Sequence, residues 1–401
     1  MRARNENRKT KVVIVGAGPA GASLAIRLAQ ENYRVSLVER ERFPRPKLCG
    51  EFISPECLRH FRELGVFEEM LTAGGERIAE TAFYAPNGKR VGVPSKWFNK
   101  NESGALSLSR AEMDFRLLEK AKSLGIEVLE EHSAIGFVQE KQEIRGVKLR
   151  EKDGVIKEIF ADLIIDATGR ARVLGKLAEK KIGGGQKQRT ADDKRQTKLV
   201  GFKTHLENVN LEKGVCEIYF FRGGYGGLSF VENDLANFCF LVRADVVKEF
   251  NSDAQQIVKN LVHRNKRAAE TLERAKPVRD WLAVSVDSFG EKDLNPGKNL
   301  FAVGDAGAFI DPFTGSGMLM AFESAEILAK TLIENPLAET VAEKYKIEYA
   351  RRFGRRLFVC SLMRRAAFAP VIAGFLISAL SVGDLPRKCL ARATRPREIK
   401  S

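Results

Sequence analysis

The chain has 401 residues, 44% of them hydrophobic and 30% charged, with a formal net charge of +15. That is the make-up of a globular protein of about two domains with a substantial core, and it excludes a disordered or fibrous chain. Six scattered cysteines without CxxC spacing, and only four histidines, argue for a reducing, cytoplasmic compartment and against a structural zinc site.

The polar, basic residues 1–11 precede no apolar stretch, so no secretory signal is expected. Val12-Val13-Ile14-Val15 is a β-branched run of the kind buried on both faces of a parallel sheet. It leads into Gly16-Ala17-Gly18-Pro19-Ala20-Gly21, a stretch of helical spacing from Ala22 to Gln30, and a second strand from Tyr33 to Val38 that ends at Glu39. Gly16 permits the tight turn, Gly18 lets the backbone approach a pyrophosphate, and Gly21 lets the helix pack on the strand. Pro19 and Ala20 belong to the turn before the helix, whose N-terminal N–H groups and dipole suit phosphates, and Glu39 is placed to accept from a ribose hydroxyl. This is a dinucleotide site.

The loop from Arg40 to Glu51 contains two prolines and a glycine, so it is irregular. Its basic residues, Arg40 first, face cofactor phosphates or an anionic substrate, or else form a solvated rim. Cys49 beside Gly50 is either a packed thiol or a functional one. Ser54 to Leu64 has helical spacing, with Ser54 as N-cap and Pro55 at the first position. Phe83, Tyr84, Val91 and Val93 alternate around Pro86-Asn87-Gly88, which predicts a hairpin of a second, mostly antiparallel unit. A helix opens near Leu108, with Phe115, Leu118 and Ala121 on one face, and Arg110 at its start is placed to meet a phosphate or ribityl chain.

Strand-like runs follow to Phe160, and Leu163–Gly169 reads as a buried strand ending in a small-residue turn. Residues 183–198 read as a crossing loop. Residues 199–287 are dominated by strands rich in aromatic residues, with one helix over 254–272. A further strand delivers Gly304-Asp305, where the carboxylate can bond sugar or ribityl hydroxyls. Pro312 and Gly315-Ser316-Gly317-Met318 follow at a helix start.

Between Arg351 and Ser401 twelve Lys/Arg stand against Asp384 and Glu398, and an apolar stretch runs from Ala366 to Val382, broken by Pro370 and Gly374. It is short for a membrane span. The tail reads as an interfacial or substrate-covering helix against anionic lipid, or as helices packed on the domains. Without a nucleic-acid module or interleaved aromatic and basic residues, no nucleic-acid partner is expected.

The Gly16–Gly21 fingerprint with Glu39, the Arg110 helix start, Gly304-Asp305, Pro312 and Gly315-Ser316-Gly317 together resemble the para-hydroxybenzoate hydroxylase-fold flavoproteins. Lys47-Leu48-Cys49-Gly50 is similar to the Cys-Gly loop of the geranylgeranyl reductase group within that superfamily. The resemblance implies an α/β (α+β overall) fold, with a discontinuous Rossmann-like FAD-binding domain, an interleaved antiparallel-sheet substrate domain and a helical C-terminal tail. The expected FAD-binding parts are 10–77, 108–198 and 288–345, the substrate parts 78–107 and 199–287, and the tail 346–401.

It implies FAD as cofactor, held by Gly16, Gly18, Pro19, Ala20, Gly21, Glu39, Arg40, Cys49, Gly50, Arg110, Gly304, Asp305, Pro312, Gly315, Ser316, Gly317 and Met318. Cys49 and Tyr225 are the candidates near the reacting centre. The implied activity is reduction of carbon–carbon double bonds in an isoprenoid or other apolar, lipid-like substrate taken from a membrane surface on the cytoplasmic side. The alternative is an FAD monooxygenase acting on a hydrophobic aromatic or polyketide. With no second Gly-rich fingerprint, the electron donor is either NAD(P)H docking transiently or a ferredoxin.

Overall fold

The computed structural model describes residues 9–99, 102, 104–141, 143–182, 198–286, 289–335, 338–367, 383, 384, 387 and 388. The crossing loop expected over 183–198 thus lies outside the described residues except for its last position, and so does the apolar tail stretch beyond Ala367.

The buried run at the start becomes β1 (Lys11–Val15), whose pleat sends Val12 and Ile14 to one face and Val13 and Val15 to the other. α1 (Pro19–Gln30) covers the first face with Leu24, Ile26 and Leu28 fully buried. Burial at about 1.5–3 kcal/mol for each such side chain holds the helix on the sheet. β2 (Arg34–Val38) pairs parallel with β1, Leu37 opposite Ile14.

The helix expected from Ser54 starts later, at Cys57, and runs to Leu64. Ser54 and Pro55 form the turn before it, the Ser54 carbonyl accepting from Cys57 N at 2.9 Å. The expected hairpin is present as β3 (Glu80–Tyr84) and β4 (Arg90–Pro94), with Phe83 opposite Val91. α2 (Arg110–Ser123) is capped by Ser109, whose hydroxyl accepts from Glu112 N at 3.1 Å. β5 (Glu127–Leu129) follows. A three-stranded antiparallel sheet over 132–160 then packs Phe137, Val147 and Leu149 on the Val13 face of β1 before β6 (Leu163–Asp166) begins.

β7 (Leu199–Glu207), β8 (Val215–Phe221), β9 (Gly224–Phe230) and β10 (Ala236–Arg243) build the second sheet, in the order β7-β10-β9-β8-β3-β4. Its neighbours are antiparallel except β8 and β3, which pair parallel with Val215 opposite Glu80. The single helix expected over 254–272 is broken into Ala254–Asn260, a 3₁₀ turn Val262–Arg264 and Lys266–Leu272. Asn265 makes the break. It caps the last piece by accepting from Ala268 N, and its amide donates to the carbonyls of Tyr84, Ala85 and Phe220. Periodicity carries no sign of that tertiary demand.

β11 (Leu300–Ala302) completes a five-stranded parallel sheet in the order β11-β6-β1-β2-β5. α3 (Gly317–Glu334) packs beside α1 in one core. α4 (Ala338–Ala367) runs antiparallel to α3, since Lys344 bonds Asn335 while Arg352 and Arg356 pair with Glu323.

The Cys57–Leu64 helix carries Glu63 between Arg27, at 2.7 Å, and Arg59, at 2.6 Å. Burial pushes the Glu63 carboxyl up, but bonds from His60 and Arg27 and the charges of Arg59 and Arg27 outweigh it and hold it at about 2, against an ordinary 4.5. A depressed carboxylate gives stability that is complete above its ordinary value and lost as pH falls toward the folded value. Because Glu63 is one-third exposed, that contribution is about 1 kcal/mol at most. Glu63→Gln is expected to narrow the gap in melting temperature between about pH 5 and about pH 2.5. An unchanged gap would mean that the two arginines give this carboxylate nothing.

Candidate cofactor and active site

Glycine turns follow the carboxyl ends of β1 and β11 in the parallel sheet. Gly16 sits at φ +105°, and a Cβ there would lie 2.3 Å from the Ala167 carbonyl oxygen. At Gly21 it would lie 1.8 Å from the Gly16 oxygen. Gly18 differs: a Cβ would meet only Nη2 of Arg110, at 3.5 Å. Space over the start of α1 is therefore kept open rather than filled. Gly18 gives α1 no side-chain cap, Pro19 and Ala20 begin the helix, and no acidic residue stands in its first turn. Its positive end has no charged answer within that turn.

Glu39 follows β2 and stands against this turn. Its carboxylate accepts from the N–H groups of Ala17 (3.1 Å), Arg40 (3.0 Å) and Glu41 (3.2 Å) and from Arg45 (3.2 Å). The Arg40 side chain points to solvent beside Glu41, so only its backbone takes part. Arg110 lies across the helix start, its guanidinium on Asp114 at 2.7 and 2.8 Å, and Arg45 reaches the same carboxylate at 3.0 Å.

Gly304, at φ +61°, packs its turn on α1: a Cβ there would lie 2.8 Å from that of Ala20. The turn presents Asp305, which takes no hydrogen bond from the described residues. Burial pushes its carboxyl up against the pull of Arg170, Arg110 and Lys47. It is an acceptor set among cations without a donor. Beyond it, buried Asp311 accepts from the Tyr225 hydroxyl at 2.7 Å and from Phe313 N at 2.9 Å, while Pro312 is exposed. Gly315, at φ +59°, and buried Ser316 lead to Gly317 and Met318 at the start of α3, a second helix start with no side-chain cap and no acid in its first turn.

The 47–51 loop brings Cys49 to the Arg110 helix start: the thiol sulfur accepts from Glu51 N at 3.4 Å, and Glu51 accepts from Arg110 N at 2.8 Å. Gly50 is exposed, with nothing within 4 Å of where a Cβ would be. Tyr225 has its proton committed to Asp311 and its ring edge-on to Phe313 at 5.3 Å. Phe83 and Phe220 approach the same Phe313 at 5.9 and 5.7 Å. A candidate metal group among the described residues, His60 with Glu63 and Glu326, is already bonded by Arg27 and Arg59.

A model of the FAD binding domain matches residues 9–352. The chain belongs to that family. FAD fits the residues present: two helix starts without an acidic answer suit a pyrophosphate and a ring, and Asp305 suits hydroxyl donors of the linking chain. Digeranylgeranylglycerophospholipid reductase 2 of Methanopyrus kandleri is 27% identical over 358 residues, 86% of this chain and 83% of that one. Squalene monooxygenase SE1 of Panax ginseng is 32% identical over 162 residues, 40% of this chain and 30% of that one. A geranylgeranyl bacteriochlorophyll reductase-like protein of Thermoplasma acidophilum shares the fold, with a TM-score of 0.77 at 19% identity over 97% of this chain and 96% of its own. The protein is an FAD-dependent oxidoreductase with geranylgeranyl reductase-like relatives.

Sequence reasoning placed Arg45 only among the basic residues of its loop and missed the roles of Asp114, Asp311 and Phe313, and also Glu51, Lys203 and His205 beneath the loop. Lys203 and His205 alternate with Phe202, Thr204 and Leu206 on β7. That alternation was a signal, but it does not say which face is wet.

Proposed function

We propose that this FAD-dependent oxidoreductase saturates carbon–carbon double bonds of an isoprenoid or other apolar, lipid-like substrate. The observation that carries this reading is an aromatic wall. Phe83, Phe220, Tyr225 and Leu241 of the second sheet meet Phe309 and Phe313 beside the Pro312 turn. Phe83 and Phe313 are its partly exposed members, which an alkyl chain would touch, and the buried rings behind them offer few hydrogen bonds to a polar substrate. The digeranylgeranyl lipid in the name of the Methanopyrus relative supports the same class.

Bound FAD supplies a hydride once reduced. The chain would orient and shield: the Asp311–Tyr225 bond fixes the Pro312 turn, Arg110 and Asp305 would hold the cofactor's polar parts, and Cys49 and Tyr225 are the candidates near the reacting centre. The proton comes from a nearby acid or water, and electrons from NAD(P)H or a ferredoxin.

The squalene monooxygenase match supports the monooxygenase part of a second reading, hydroxylation of a hydrophobic aromatic or polyketide substrate. Anaerobic turnover with a chemical reductant separates the two. An isoprenoid alkene is expected to reoxidise the reduced protein at least about tenfold faster than buffer alone, a barrier difference of about 1.4 kcal/mol. No consumption until oxygen is admitted would replace the reductase with the monooxygenase.

The tail reading places the protein peripherally on a cytoplasmic membrane face. α4 exposes Arg351, Arg355, Phe358 and Leu362, the last two at 71% and 61%, a basic and apolar face suited to anionic lipid. Among the described residues no helix is long and apolar enough to cross a membrane. Sedimentation with anionic vesicles is expected to weaken as salt rises from about 0.05 to about 0.5 M. Equal binding to neutral vesicles would remove the charges from the explanation.

A further inference from the structure

The 47–51 loop is anchored from the second sheet by charges that the reaction as proposed does not use. Glu51 is 1% exposed and sits at φ +54°, a conformation uncommon for a residue with a side chain. Lys203 and His205 share one face of β7, while Phe202 and Leu206 on the other face pack into the core beneath the helices. The Lys203 ammonium ties both ends of the loop, donating to the Lys47 carbonyl at 3.0 Å and to the Glu51 carboxylate. His205 Nε2 lies 2.9 Å from the other Glu51 oxygen. Arg110 N donates to Glu51 at 2.8 Å, and Asn237, opposite His205 on β10, donates to the Cys49 carbonyl at 3.2 Å.

Burial alone would push the Glu51 carboxyl up, and the bonds from His205 and Lys203 outweigh it and hold it below its ordinary range. Pairing of this kind roughly offsets the desolvation of buried charges, and apolar residues of the same volume would hold the sheet equally well. Stability therefore does not account for the triad. The shape of the loop does: its base is fixed by every contact above, while Gly50 at its tip faces open space.

We propose that Lys203 and His205 are positioning residues which, through Glu51, fix the 47–51 loop so that the Cys49 thiol keeps its place beside the Arg110 helix start, where its sulfur accepts from Glu51 N. The proposal rests on the placing of this loop at the FAD site, but not on the identity of the substrate.

The test is alkylation of the FAD-loaded full chain by iodoacetamide, read at Cys49 by peptide mass mapping. Lys203→Met keeps the length of the side chain and removes the donor. Lys203→Met removes both bonds, and the Cys49 rate is expected to rise at least about fivefold, the population change that follows the net loss of even one of them. Lys203→Arg is expected to restore it to within about twofold. Buried Cys57 and Cys216 serve as internal controls and are expected not to change. His205→Ala, which leaves the Lys203 bonds in place, is expected to give a smaller rise of about threefold and serves if Lys203→Met does not fold. A Cys49 rate unchanged in the variant that retains FAD overturns the proposal. So does a rise matched at Cys57 and Cys216, because it reports general loosening. If removing FAD leaves the wild-type Cys49 rate unaltered, the site assignment fails instead, and the variants still report on the loop.

Discussion

Gly18→Val is expected to yield folded protein that binds FAD at least about a hundredfold more weakly. The position tolerates a side chain within the protein: the backbone is at φ −72°, and a Cβ would meet only the end of the Arg110 side chain, at 3.5 Å. What the branched side chain occupies is the space over the start of α1. A pyrophosphate kept away from that backbone loses charge-assisted bonds worth about 1.5–3 kcal/mol each. Losing two weakens binding by about a hundredfold or more. The readouts are visible absorbance after reconstitution and the melting temperature of the cofactor-free form, which should stay within a few degrees of the parent. Gly21→Val would not separate the two effects, since its Cβ collides with the Gly16 carbonyl and spoils the fold itself. A yellow Gly18→Val protein of undiminished affinity would put the pyrophosphate elsewhere.

The second large effect is expected at Asp114. Its side chain is fully buried, and the guanidinium groups of Arg45 and Arg110, about a tenth exposed, both depend on it. Asp114→Ala leaves two buried cations without that carboxylate, and the expected loss is about 3–5 kcal/mol in urea unfolding. FAD uptake should fall with it, because Arg110 is no longer aimed across the start of α1. The control lies on the same helix. Glu112 and Arg116 form a pair about one-third exposed at 3.0 Å, and Glu112→Ala is expected to cost less than about 1 kcal/mol. Equal losses at the two positions would show that the buried network is no more than surface decoration.

The parts of this protein that could be read from its sequence are those whose physics is local. Gly16, Gly18 and Gly21 are set by one strand, one turn and one helix within a few residues of each other, so their types and spacing suffice. Asp305 and the Gly315-Ser316-Gly317 turn were legible for the same reason. Glu51 was not, because its partners Lys203 and His205 arrive from β7, far along the chain. Asn265 looks like any polar residue in a helical stretch until three carbonyls from elsewhere claim its amide. The β3–β4 hairpin could be read from alternation and its turn residues, but its parallel pairing with β8 could not, since strand order leaves no periodic trace.

The parallel sheet receives its outermost strand only at Leu300–Ala302, after the whole of the second sheet has been laid down. During translation, a nascent chain that has emerged no further than Val286 exposes the flank of β6 that β11 later covers, and it has neither Asp305 nor α3. Capture of a dinucleotide by a site that needs both glycine turns therefore waits until α3 has left the ribosome. Prematurely terminated products are released empty, with an open β-edge for chaperones and proteases to find.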